Sequence, residues 1–305
     1  MSVRRAAGVG RPGDYAVGLA CTFAATLMWS LSGVFVRLLP GLDAFQINGY
    51  RGFFAAIALL LILGVGGGGI APLVRRFARL DPFASGLLAG FFAVGSTNYI
   101  LALERASVAA VACLAAGAPI FTALLARIFV GERLSAPVLA AAIVAMGGVW
   151  LMMEGGLAAS GLAGVVIALG VPLLFAAQTV ALRRFRGIDM MPSLCLGALG
   201  ACALNMALAD SHWLPWRDLA VLAAMGTVQL AVPAILWVLA ARRLPAAPMM
   251  LVSLLDAVFN PLWAWIGVGE VPARNVVLGG ALVMAAVVLA TLASIRRERR
   301  LLAAG

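Results

Sequence analysis

The sequence predicts an all-α integral membrane protein of ten transmembrane helices, built as two inverted five-helix repeats. Three observations carry that prediction. The 305 residues are 64% apolar and only 11% charged, with a mean hydropathy of +1.07, whereas soluble domains run near ~45–50% apolar and ~25% charged. Apolar stretches of ~20 residues, each long enough to cross a ~30 Å hydrocarbon core as a helix, recur along the whole chain. Finally, one half of the chain overlays the other.

The ten predicted spans are 16–38, 45–64, 83–103, 108–130, 136–154, 162–182, 190–209, 218–240, 248–268 and 275–295. Their ends have chemical causes. Pro40-Gly41 closes the first and the run Gly66 to Gly69 the second; Gly131-Glu132 and Gly269-Glu270 mark two later breaks, with Pro215 and Pro245 beside two more. Arg4, Arg5 and Arg11 precede the first span as they would in a signal peptide. That span is too long for such a segment and lacks a small-x-small cleavage site, so it is expected to be retained.

A net charge of +10 and pI near 11.1 would suit a nucleic-acid binder, but the basic residues sit at the ends of apolar spans, with no basic stripe interleaved with aromatics. All are arginine. With the N-terminus cytoplasmic, 17 of the 22 fall on the cytoplasmic side, and Arg37, Arg51, Arg105, Arg217 and Arg274 lie on or towards the other. That bias expects both termini inside and argues for an even number of spans. The 210–218 loop, with His212, Trp213 and Trp216, then faces outward. The expected organisation is a tail 1–15, a first repeat 16–154, an external linker 155–160, a second repeat 161–295 and a basic tail 296–305. Cys21, Cys113, Cys195 and Cys202 lie inside spans with no metal-ligand or redox spacing and read as small buried hydrophobes.

The repeat is the strongest organisational signal. A shift of 138 residues overlays Ala102–Leu151 on Ala240–Leu289 without a gap: Arg105 meets Arg243, Phe121 meets Phe259, Ile128 meets Ile266, Gly131-Glu132 meets Gly269-Glu270, and Met146 meets Met284. A looser match sets Trp29-Ser30 against Phe175-Ala176 and Arg37 against Arg183. Five spans per half force the second half to enter the membrane upside down. Inverted repeats of this kind mark secondary transporters, whose substrate site lies near the midplane between the halves.

The stretch from Ala102 through Pro119, Val130-Gly-Glu-Arg-Leu134 and Met146-Gly-Gly-Val149 resembles the ends of EamA repeats in the drug/metabolite transporter superfamily. So do Ala240–Ala247, Ser253-Leu-Leu-Asp256, Pro261-Leu-Trp-Ala264 and Gly269-Glu-Val-Pro272, and Trp29-Ser30 and Tyr50-Arg51 fit the same pattern. The resemblance covers nearly the whole chain. It implies ten helices, an inverted repeat, a path lined by spans one, three, four, six, eight and nine, and movement of small metabolites, often export of amino acids or related compounds. An ion gradient or the substrate's own gradient would supply the energy. The family often carries Glu in the ninth span, where this chain has Asp256, one methylene shorter.

Asp256 is the first candidate for substrate binding or coupling. It lies near mid-depth in its span, where an acid is costly unless paired, protonated or facing water, and its repeat mate is Ala118, so it is no part of the repeat scaffold. A structural acid satisfied by polar neighbours is the competing reading. Arg51, about two turns into span two, could meet a carboxylate or an acid, or extend its stem outward. Asn98, Gln178, Gln229 and Asn260 are polar at depth and should face the bundle interior. Asn260-Pro261, one turn after Asp256, makes that stretch a candidate site wall, to which Trp29, Tyr99, Trp237 and Trp263 would add aromatic surface. Gly131-Glu132 and Gly269-Glu270 each begin the turn into a following helix, a structural motif in which the carboxylate complements a helix dipole.

These features point to a secondary transporter in the bacterial inner (plasma) membrane, with a small-molecule substrate, the lipid bilayer as surroundings and the proton as candidate coupling ion. Export is the expected direction, and uptake of a vitamin-like metabolite is the alternative. No cofactor or metal is expected. A membrane-embedded lipid-modifying enzyme would need a clustered catalytic constellation, which the lone His212 and the scattered acids do not supply. A channel would need a filter loop or charged ring, and none is legible.

Overall fold

The computed structural model describes residues 14–106, 108–132, 136–152, 161–268, 271 and 273–303. Among them the chain is helical throughout. The first span is α1 (Asp14–Trp29) and α2 (Ser32–Arg37), the second α3 (Ala44–Gly66), followed by a short helix α4 (Ile70–Ala78). Span three is α5 (Pro82–Arg105), span four α6 (Val108–Ala115) and α7 (Ala118–Phe129), and span five α8 (Ala136–Met152). The second half continues with α9 (Leu162–Arg184), α10 (Met191–Leu208), α11 (Leu219–Ala224) leading through a π-turn into α12 (Val232–Ala241), then α13 (Ala246–Ser253), α14 (Asp256–Val268) and α15 (Arg274–Ala303). Among the described residues, eight of these segments are long and apolar enough to cross a membrane, and Ala118–Phe129 and Ala136–Met152 are shorter apolar helices at the two further predicted positions.

Helix starts follow their caps. The Asp43 carboxylate accepts from the Gln46 N–H at 2.7 Å to start α3, and Asp81 accepts from the Ala84 N–H at 2.7 Å to start α5, whose first residue is Pro82. The turn between α3 and α4 needs left-handed backbone at Gly68 and Gly69, with φ of 85° and 109°.

Small residues let the helices approach. A Cβ on Gly148 of α8 would stand 2.8 Å from the Gly279 carbonyl of α15, and one on Gly52 of α3 would stand 2.8 Å from the Ala198 carbonyl of α10. This suits a bilayer, where close van der Waals packing rather than water exclusion holds helices together. Large apolar side chains such as Leu61, Val65, Ile128 and Leu289 point outward, as lipid-facing surfaces should. One buried cluster joins α1, α3, α9, α10, α12 and α13; a second joins α8, α13, α14 and α15.

Three features depart from the predicted spans. Spans one, four and nine are each broken in two. The segment expected to be a loop after span two contains α4, which carries Leu73 and Phe77 against the bundle and Arg75, Arg76 and Arg79 around its other side. The last helix continues past 295 to Ala303. Gly269 and Glu270, the linker 155–160 and most of the tail 1–15 lie outside the described residues.

Candidate functional site

The two halves break at matching positions. Helix α6 ends at Ala115 and α7 resumes at Ala118; α13 ends at Ser253 and α14 resumes at Asp256. Both pairs differ by the same 138 residues that align the sequences. A helix start leaves N–H groups without intrahelical partners and a partial positive charge. At α7 that start holds only Ala118-Pro119. At α14 it holds Asp256, and one of its carboxylate oxygens, Oδ1, is buried with no hydrogen-bond partner. Pro261 then removes the N–H that would bond the Ala257 carbonyl, and the Asn260 amide donates to the Asp256 carbonyl at 3.2 Å. The Asn260 side-chain oxygen lies against Gly33 of α2, where any larger residue would crowd it. The Trp263 indole donates to Ser30 Oγ at 2.8 Å, fastening α14 to the break between α1 and α2.

Arg51 stands in a polar network that links four spans. Its guanidinium donates to the Asn48 side-chain oxygen and, at 3.2 Å, to Gln229 Oε1. Asn48 donates to Ser96 Oγ of α5 at 2.9 Å, and Gln229 donates to the Trp29 carbonyl at 3.3 Å. Gln229 sits on the π-turn Met225–Ala231. Pro233 explains that turn: it lacks the N–H that would bond the Gln229 carbonyl, so the helix widens there, and such widenings often mark functional sites. Among the described residues no carboxylate forms an ion pair with Arg51, and its Nε is buried without a partner. Tyr99 interacts electrostatically with both Arg51 and Asp256. It is 43% exposed.

Trp29, Phe175 and Trp237 form the third component. Trp29 meets Trp237 at a ring separation of 5.0 Å and Phe175 edge-on at 5.8 Å, and Phe175 stacks on Trp237 at 5.4 Å. Trp29 and Phe175 are repeat mates. A residue that touches its own symmetry mate lies on the symmetry axis, so the inverted-repeat axis passes between these rings. With Gln178 and four apolar side chains they line a cavity of about 50 Å³, well short of the ~300–1,000 Å³ of small-molecule sites. It has room for water and none for a metabolite.

The site residues expected from sequence thus divide. Asp256, Tyr99 and Arg51 share one electrostatic neighbourhood; Trp29, Gln178 and Trp237 share the aromatic cavity; Asn260 and Trp263 line α14 against the first span. Asn98 stands apart, donating to the Ile167 carbonyl at 3.1 Å and packing over Gly170 to tie α5 to α9. Ser96, Ser30 and Phe175 join the site only in the structure. Phe175 had a signal in its match to Trp29, whereas nothing in the local sequence distinguishes Ser96. For Gln229 the sequence signals only polarity at depth.

The ends of the molecule differ. At the arginine-rich end α7 packs against α9 and α13, whereas beyond the break α14 packs chiefly on α1, α2 and α15. Gly131, at φ 71°, turns the chain after α7 so that the Glu132 N–H bonds back to the Ala126 carbonyl at 3.1 Å. The Glu132 carboxylate then accepts from Arg183 Nε at 2.7 Å and from the Ala246 N–H at 3.1 Å.

Residues 16–154 match the model of the EamA-like transporter family. The first repeat is thus similar to an EamA repeat. A solved structure described only as a crystal structure of a protein superposes with a TM-score of 0.78 at 20% identity, covering 96% of this chain and 99% of that one. At that identity the likeness speaks for the fold alone. No curated protein matches the chain in sequence. The match over the first half and the apolar helices support a multi-pass membrane protein akin to small-molecule transporters, with lipid around it.

Proposed function

We propose that this protein is an EamA-type alternating-access secondary transporter that exports small polar or amphipathic metabolites, amino acids or related compounds, across a bacterial inner membrane. The observation that carries the reading is the mirrored break in spans four and nine, with the acid Asp256 at the start of only one of the two half-helices. Half-helix starts near the midplane are where inverted-repeat transporters meet charged substrate groups and coupling ions. Asp256 would meet a cationic group or carry a proton, Arg51 and Tyr99 would meet an anionic one, and the aromatic cluster on the repeat axis would form the floor. The arginine-rich end is taken as cytoplasmic, with both termini there. In this reading the packing of α7 on α9 and α13 closes the cytoplasmic end.

The test is flux. Purified protein in liposomes, given a panel of amino acids and related metabolites with and without an imposed pH gradient, should move at least one of them, and oriented vesicles should give the direction. Inward-only movement of a vitamin-like compound would replace export with uptake. Absence of any flux together with product formed from lipid would overturn the transporter reading.

A further inference from the structure

Glu132 does something the transport reading does not require of it. Its carboxylate is only 18% exposed and its partner Arg183 7% exposed. It touches three elements at once: its own turn after α7, the end of α9 through Arg183, and the first turn of α13 through the Ala246 N–H. Arg183 completes the ring by donating from Nη1 to the Ala241 carbonyl at 3.1 Å, at the end of α12. Helix α13 has Pro245 at its N-cap and no side-chain cap of its own. Glu132, from the other half of the chain, supplies that cap and complements the helix dipole. Beneath it Ala126, Val180 and Ala246 from α7, α9 and α13 pack as one buried cluster. Residues this small let three helices close over the path without a bulky plug.

Among the described residues the ion pairs that join the two halves are Glu132–Arg183 and Arg76–Asp189, the latter at 2.6 Å and more exposed. Both lie at the arginine-rich end. Arg186 also stands near Glu132: Arg183 chiefly lowers its pKa, burial adds to this, and Glu132 counters it. An ion pair holding a closed end must come apart when that end opens, and its carboxylate must then find water or a new partner. A buried pair with three partners therefore sets how often opening occurs.

We propose that Glu132 is a releasable clasp of the transport cycle, a positioning residue that holds α7, α9 and α13 together while the arginine-rich end is closed. The proposal rests on the alternating-access reading but is read out without substrate. With the four native cysteines replaced, single reporters Thr122→Cys and Tyr99→Cys are labelled by a membrane-impermeant maleimide applied to either face of oriented vesicles. Thr122 is fully buried, one turn from Ala126 on the same face of α7 and behind the cluster. Glu132→Gln should raise Thr122→Cys labelling from the arginine-rich face about tenfold, equivalent to ~1.4 kcal/mol, and lower Tyr99→Cys labelling from the opposite face. Arg183→Lys, which keeps the charge, should move both reporters the same way by less.

Reporters that stay unchanged in both variants, or that rise together as in a loosened bundle, overturn the clasp. Opposite shifts in a protein that carries nothing in the flux assay would keep the clasp and remove the transport reading.

Discussion

Replacing Arg51 by methionine separates a residue kept for stability from one kept for its charge. The methionine stem fills similar space and removes two hydrogen bonds, to Asn48 and to Gln229 Oε1. Asn48 keeps its bond to Ser96, and the Gln229 amide keeps the Trp29 carbonyl. One acceptor, Gln229 Oε1, is therefore left short, which costs ~1–3 kcal/mol. Against this, a guanidinium with an unpartnered Nε and no acid paired to it leaves the interior. Relieving an uncompensated buried charge returns up to several kcal/mol. The two effects nearly cancel, so thermal unfolding in detergent should shift by no more than ~2 kcal/mol in either direction. Transport of an anionic or zwitterionic substrate should fall by at least ~100-fold, the scale of a lost charge contact of about 3 kcal/mol. A variant that unfolds many degrees lower, or one that still transports at the native rate, would refute this account of Arg51.

Gly131→Ala forces a left-handed backbone onto a residue with a Cβ, at ~1–2 kcal/mol; it should mis-aim Glu132 and raise Thr122→Cys labelling as Glu132→Gln does, and an unchanged labelling rate would count against the turn's role. Gly148→Leu puts its Cβ 2.8 Å from the Gly279 carbonyl and 3.1 Å from the Val283 N, backbone atoms that cannot yield, so the α8–α15 contact should lose ~1–3 kcal/mol by thermal unfolding; an unaltered melting temperature would argue against that close approach. Trp263→Phe keeps the ring and deletes the donor to Ser30 Oγ, and a loss of ~0.5–1.5 kcal/mol is expected; no loss would mean the bond does not fasten α14.

Much of this architecture was legible in the sequence because the bilayer leaves few choices. A run of ~20 apolar residues must satisfy its backbone internally and therefore becomes a helix, and charge bias orders the ends. The repeat was legible because matched residues such as Phe121 with Phe259 and Gly131-Glu132 with Gly269-Glu270 recur at one fixed shift. The break before Asp256 was not, since Leu254-Leu255 has no breaker and the interruption is imposed by tertiary packing. The π-turn is explained by Pro233 only once the helix around it is known. Helix α4 was missed because its apolar and basic residues alternate over too few turns to stand out beside the spans. For the site, Asp256, Arg51 and Tyr99 could be named individually from depth, but their shared neighbourhood depends on how three separate spans pack. Asn98 had the same polar-at-depth signal and turned out to tie α5 to α9, because depth alone does not give the face of a helix.

The most direct test of the central claim compares the native protein with Asp256→Asn in liposomes, for a substrate found in the flux panel. Two modes are measured: exchange at equal concentrations, and accumulation driven by a pH gradient. The account predicts that Asp256→Asn folds, keeps exchange and loses gradient-driven accumulation. Native accumulation in the variant would contradict it.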